Sequence, residues 1–208
     1  MNPAIRNIIL RILIYAVLLL LVSQLIYVDA LEVTKQKFKE ESWTEYLQVI
    51  TLFLTALIFY ISAHKWLKFR GLGILLGGAA TIAFIRELDV YLDTYVFDGV
   101  WQTLALVAAI SIMWMTYKWR KGLMEVIQYF IGTRSFGLCL GGFLTVFVFS
   151  RMFGRQIFWR AVMEEGYIRS VKNAAEEGLE LLGYLLIFMS AIEFFITIRE
   201  FHERSGPV

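Results

Sequence analysis

Arg86, Glu87, Asp89 and Asp93 stand within eight residues of one another, at the close of an apolar, Gly-rich run from Gly71 to Ile85. An ionised side chain at the centre of a bilayer costs at least about 2.5–3.5 kcal/mol, so charges at the end of such a run turn toward protein or water and take partners. Two kinds of chemistry suit this set. The carboxylates can bind a cation or exchange protons, and Glu87 or Asp89 can act as a general acid or base. On an unbroken helix Arg86, Asp89 and Asp93 share a face, which also allows simple Arg86–Asp89 or Arg86–Asp93 pairing.

Other residues are candidates for the same site. Glu45, Glu176, Glu177 and Glu180 enter apolar runs at their N-terminal ends, where the helix dipole favours acids. Arg151 and Arg155 leave another run at i,i+4 spacing, suited to pairing with those acids or to gripping a carboxylate or phosphate. Gln48 belongs to a polar stripe with Thr44, Thr51, Thr55 and Ser62, which lines a seam or a wet cavity. Glu193 is separate, deep in the last apolar run with Arg199 and His202 beyond it, and is a candidate proton or cation relay.

The elements that must hold these residues are membrane helices. Of 208 residues, 59% are hydrophobic, above the 45–50% usual in soluble domains. Both prolines, Pro3 and Pro207, are terminal, so no proline interrupts a helix between them. A spanning helix needs about 20 apolar residues. Runs at 8–28, 43–63, 72–92, 100–118, 136–152 and 179–198 meet that length or approach it. The expected fold is all-α, a single domain forming a bundle of six transmembrane helices. Arg6 and Arg11 ahead of the first run, with Val28-Asp29-Ala30 after it, also suit a signal peptide. That run is longer than a usual signal core, so a retained helix is expected.

With six spans both termini share a face. That face carries eleven Lys and Arg, concentrated in the short 64–71 and 117–121 connections, and only four acids. Basic short loops mark the cytoplasmic side, so both termini are expected in the cytoplasm of a bacterium, with the protein in its inner membrane. Asp29–Ser42, Asp93–Gly99 and Arg151–Gly178 then lie outside. Within the last, 155–178 is expected to form an amphipathic surface helix, laced by Arg160/Glu164, Glu165/Arg169 and Lys172/Glu176 pairs. The 119–135 connection, with Trp119, Leu123, Val126, Ile127 and Phe130 on one face, suits an interfacial segment against lipid headgroups.

Arg70–Thr81 and Arg134–Thr145 share the pattern R-x-x-G-x-x-x-G-G-x-x-T. A repeat of two-helix hairpins (spans 2–3 and 4–5, with spans 6 and 1 closing a ring) would explain it. Gly73/Gly77 and Gly137/Gly141 are then expected at the tightest helix contacts.

The motifs narrow the function. Two histidines and one cysteine, Cys139, leave no metal or haem site, and no cofactor is expected. No nucleophile elbow, zinc-protease motif or phosphate-cradling Gly-Lys-Ser/Thr loop occurs. Three functions remain: a small channel or transporter for an ion or polar solute, an assembly subunit of a larger membrane complex, or a lipid or isoprenoid enzyme using Glu/Asp acid–base chemistry. The expected partners are lipids and, as homo-oligomer or larger complex, other membrane chains, but no nucleic acid.

Overall fold

The computed structural model describes residues 3–31 and 42–205. Among the described residues the chain is helical without strands, and six helices are long and apolar enough to cross a membrane. Of the expected outer segment Asp29–Ser42, residues 32–41 lie outside the described residues.

Span one is α1 (Pro3–Leu31) and span two is α2 (Trp43–Lys65). Ser42 starts α2 by accepting a hydrogen bond from the Glu45 N–H at 3.2 Å. Span three is α3 (Arg70–Glu87), which a 3₁₀ turn at Leu67–Phe69 precedes and the short α4 (Asp89–Tyr95) follows. Gly99, at φ +85°, makes the turn into span four, α5 (Val100–Lys118). The connecting helix is α6 (Leu123–Ile131). Span five runs through α7 (Arg134–Leu144), a π-helical turn at Thr145–Ser150, and α8 (Arg151–Phe153). Next come α9 (Gln156–Met163) and α10 (Arg169–Ser205). At 37 residues α10 is about 55 Å long, more than a bilayer's hydrocarbon needs.

The spans pack as a row in the order α5, α3, α2, α10, α7, with α1 laid against α2 and α10. The core follows from this order. Near the chain termini Phe59, Phe69, Phe130 and Phe194 meet edge to face, with ring centroids 5.4 Å apart for Phe59–Phe194 and 5.7 Å for Phe130–Phe194. The outward faces of α1 and α5 remain apolar and exposed, as lipid-facing surfaces are.

Four expectations change. First, span three ends at Glu87. Leu88 leaves helical geometry, so Asp89 and Asp93 belong to a separate helix and do not continue the face of Arg86. Second, the outer helix over 155–178 is broken at Glu164, whose φ is +50°. Only Lys172–Glu176 of the three expected pairs forms, because it lies wholly within α10. Third, α6 buries Val126 and Phe130 in the aromatic core instead of laying its apolar face on lipid. Fourth, α5 packs on α3 and α7 on α10, so spans 4 and 5 do not make the second hairpin of a repeat, and the row does not close into a ring. Gly73 and Gly77 do lie tightly on α2, facing Ala63 and Tyr60. Gly137 and Gly141 face open space, and Gly142 takes the close contact instead.

Candidate functional site

The site is built on α10. Glu177, Glu180 and Tyr184 follow at three- and four-residue steps and so line one face of that helix. The last turn of α3 brings Arg86 and Glu87 to them. Tyr184 OH donates to Glu87 Oε1 at 2.7 Å. Arg86 Nη2 donates to the same oxygen at 2.7 Å and to the tyrosine oxygen at 3.1 Å. Span five supplies the other wall. Its π turn adds a residue to the helical repeat, a distortion frequent at functional sites. Ser150, at the end of that turn, is buried and donates to Glu180 Oε1 at 2.8 Å. The same oxygen lies 3.4 Å from Arg151 Nη2 and 3.8 Å from Arg86 Nη2.

A second acid adjoins this cluster. Buried Gln48, on α2, donates from Nε2 to the Glu177 carbonyl at 3.2 Å and to Glu177 Oε2 at 3.1 Å. Its Oε1 is also buried and has no hydrogen-bond partner among the described residues. The carboxylates of Glu180, Glu45 and Glu87 are near enough to act electrostatically on that of Glu177. Glu87, Glu177 and Glu180 thus share one end of the bundle with two guanidinium groups, Arg86 and Arg151.

The structure therefore gathers Arg86, Glu87, Gln48, Arg151, Glu177 and Glu180, with Glu45 beside them. It does not gather three other candidates. Asp89 stays within electrostatic range of Arg86 and Glu87, but its carboxylate accepts from the Val90 N–H at 2.7 Å. Asp93 accepts from the Gly99 N–H at 3.1 Å and so fixes the turn into α5. Arg155 occupies the N-cap position of α9 with its side chain exposed. Two members, Tyr184 and Ser150, were not among the sequence candidates. The spacing of Tyr184 from Glu177 and Glu180 was a readable signal, whereas the inward turn of Ser150 depends on the π distortion.

Glu193 lies toward the opposite end and is buried. Its partners are Arg11 Nη1 at 3.0 Å and Tyr15 OH at 3.0 Å, both from α1. Arg199, further along α10, pairs with Glu203 at 2.9 Å.

Between the two ends the bundle is closed. Thr55 Oγ1 donates to the Thr51 carbonyl at 2.7 Å and Ser62 Oγ to the Ile58 carbonyl at 2.8 Å. These hydroxyls of the α2 stripe are thus satisfied by their own helix, which lets α10 approach closely. Leu52, Val146 and Tyr184 pack directly beneath the charged cluster. Among the described residues, cavities of about 190 to 640 Å³ lie elsewhere on the bundle, and none of these is lined by Arg86, Glu87 or Glu180.

Asp29 also escaped sequence reasoning. It is buried at the end of α1 and caps α2 from outside that helix. Oδ1 accepts from the Trp43 N–H at 3.0 Å, and Oδ2 from the Thr44 N–H at 2.8 Å and from the Thr44 hydroxyl. Asp29→Ala strands three donors, two of them at a helix N-terminus. The expected loss is about 2 kcal/mol of stability, with partial recovery in Asp29→Asn. Unfolding of the purified variants in detergent checks this, and a change within about 0.5 kcal/mol would show that the contact holds nothing.

The chain matches no family model, no curated protein and no solved structure.

Proposed function

We propose that the protein is a small carrier or channel for a cation or protons, with its binding site at Gln48, Glu177 and Glu180. The observation that carries this reading is the orphaned Oε1 of Gln48. A buried amide oxygen without a donor is costly to maintain, and a cation or protonated group beside the Glu177 carboxylate would satisfy it. The neighbouring Glu180, Glu45 and Glu87 add negative potential at the same place. The concentration of Lys and Arg near the termini supports cytoplasmic termini, a site facing the outside and residence in a bacterial inner membrane.

The closed core under the cluster fits one state of a carrier that opens alternately to the two sides. It also favours the second reading, an assembly subunit whose charges only join helices. An enzyme using Glu87 as acid or base is less well supported, because Arg86 and Tyr184 already engage that carboxylate.

The test is flux into proteoliposomes under imposed H⁺, Na⁺ and K⁺ gradients. Wild-type protein is expected to pass one of these ions. Glu177→Gln should fall to the level of empty liposomes while its size-exclusion profile and helicity stay unchanged. No flux of any of the three ions above empty liposomes would remove the transport reading, and full flux in Glu177→Gln would remove Glu177 from the binding site.

A further inference from the structure

A cavity of about 640 Å³ opens at the terminus end, between α1, α10 and the corner joining α6 to α7. We propose that it binds a phosphate group carried by an anionic lipid. Three arginines line it: Arg11, Arg134 and Arg204. Arg11 is occupied by Glu193. Arg134 and Arg204 are exposed and make no ion pair among the described residues, so their guanidinium groups are available for bidentate contact with phosphate oxygens. Asn7 and Gln128 add neutral amide donors to the lining. The acids of the lining are Glu193, paired to Arg11, and Glu200, so a net positive charge remains.

The depth of the site suits a lipid more than a solute. Arg134 opens the fifth span and Arg204 closes the sixth, which sets both guanidinium groups at a membrane boundary, where headgroup phosphates lie. Both side walls belong to helices with exposed apolar residues, such as Ile12 on α1 and Leu140 on α7, so acyl chains can run down the bundle beneath the bound headgroup.

The test uses the full chain in a neutral detergent, titrated with phosphatidylglycerol or phosphatidylcholine, with bound lipid counted by native mass spectrometry. Phosphatidylglycerol should bind more tightly. Arg134→Gln and Arg204→Gln should each weaken it about fivefold, the effect of one interfacial cation. Arg199→Gln, exposed at the same end but outside the cavity, should leave binding unchanged. A parallel thermal-shift series with inorganic phosphate separates the sources. Stabilisation by phosphate alone that is lost in Arg134→Gln upholds the phosphate site and assigns it a soluble occupant. Equal binding of the two lipids without any phosphate effect shows that the cavity selects no anionic headgroup, and equal weakening by Arg199→Gln reduces it to diffuse surface charge; either result overturns the proposal.

Discussion

Glu180→Ala is expected to destabilise the protein by about 3 kcal/mol, at the lower end of what loss of one partner from a buried ion pair costs. The reason is the number of groups that share one oxygen. Glu180 Oε1 accepts from Ser150 and lies within ion-pair distance of Arg86 and Arg151. Its side chain is only 8% exposed, while those of Arg86 and Arg151 are 31% and 45% exposed. Water can therefore take over part of the solvation of each arginine, which holds the figure below the full range. It cannot reach Ser150, whose hydroxyl is left buried without its acceptor. Glu180→Gln keeps an acceptor for Ser150 and should cost about 1 kcal/mol. Arg151→Ala removes a half-exposed ion and should cost less than about 1 kcal/mol. The order Ala at 180, then Gln at 180, then Ala at 151 can be read from unfolding in detergent. If Arg151→Ala were as damaging as Glu180→Ala, the cluster would be organised on the arginine and not on the acid.

The same cluster shows what could be read from sequence. Apolar runs of membrane-spanning length set the six helices, because in lipid every backbone polar group must be satisfied within its own segment. The grouping of Arg86 and Glu87 with Glu180 and Arg151 followed from their depth in those runs. Partner choice did not. Arg86 was expected on Asp89 or Asp93, but Leu88 ends the helix, and a helical-wheel argument carried across a helix end fails. For Glu193 the sequence names no partner, and the structure supplies Arg11, 182 residues away. Such a pairing depends on which helices are neighbours in space. The order α5, α3, α2, α10, α7 is set by many small packing contacts that no single residue reveals.

Any transport step must act on that packing. The charged cluster at one end and Glu193 at the other are both held by α10, with Leu181, Leu185 and Met189 buried between them. A cation leaving Glu177 toward the termini would have to part α10 from α2 or from span five. The α2 seam carries self-satisfied hydroxyls that lose no hydrogen bond when the helices separate. The seam with α7 is tighter and is joined by reciprocal Ser135–Ser190 hydrogen bonds. In this reading α10 and span five move together, and α2 is the surface they move against.

Gly142 is where that unit is most exposed to mutation. A Cβ added there would lie 2.6 Å from the Gly183 carbonyl oxygen and 3.1 Å from the Ile187 nitrogen, both in the α10 backbone. A Cβ on Gly183 would in turn lie 2.9 Å from the Gly142 oxygen. Backbone cannot turn aside as a side chain can, so α7 and α10 must separate to admit even a methyl group. Overpacking usually costs about 1–3 kcal/mol, and Gly142→Leu is expected to exceed that range or prevent folding. A Cβ on Gly141, one residue earlier, meets nothing within 4 Å, so Gly141→Leu extends into open space and should stay within about 0.5 kcal/mol of wild type. This contrast opposes the sequence pattern, which placed Gly137 and Gly141 at the contact. Separation of the helices also carries the π turn away from α10, so Gly142→Ala should loosen Ser150 and Arg151 from Glu180. The cost of Glu180→Ala should then shrink in the Gly142→Ala background, a coupling that a double-mutant cycle measures. Strict additivity of the two changes, or a damaging Gly141→Leu beside a silent Gly142→Leu, would mean that this crossing does not hold the site together.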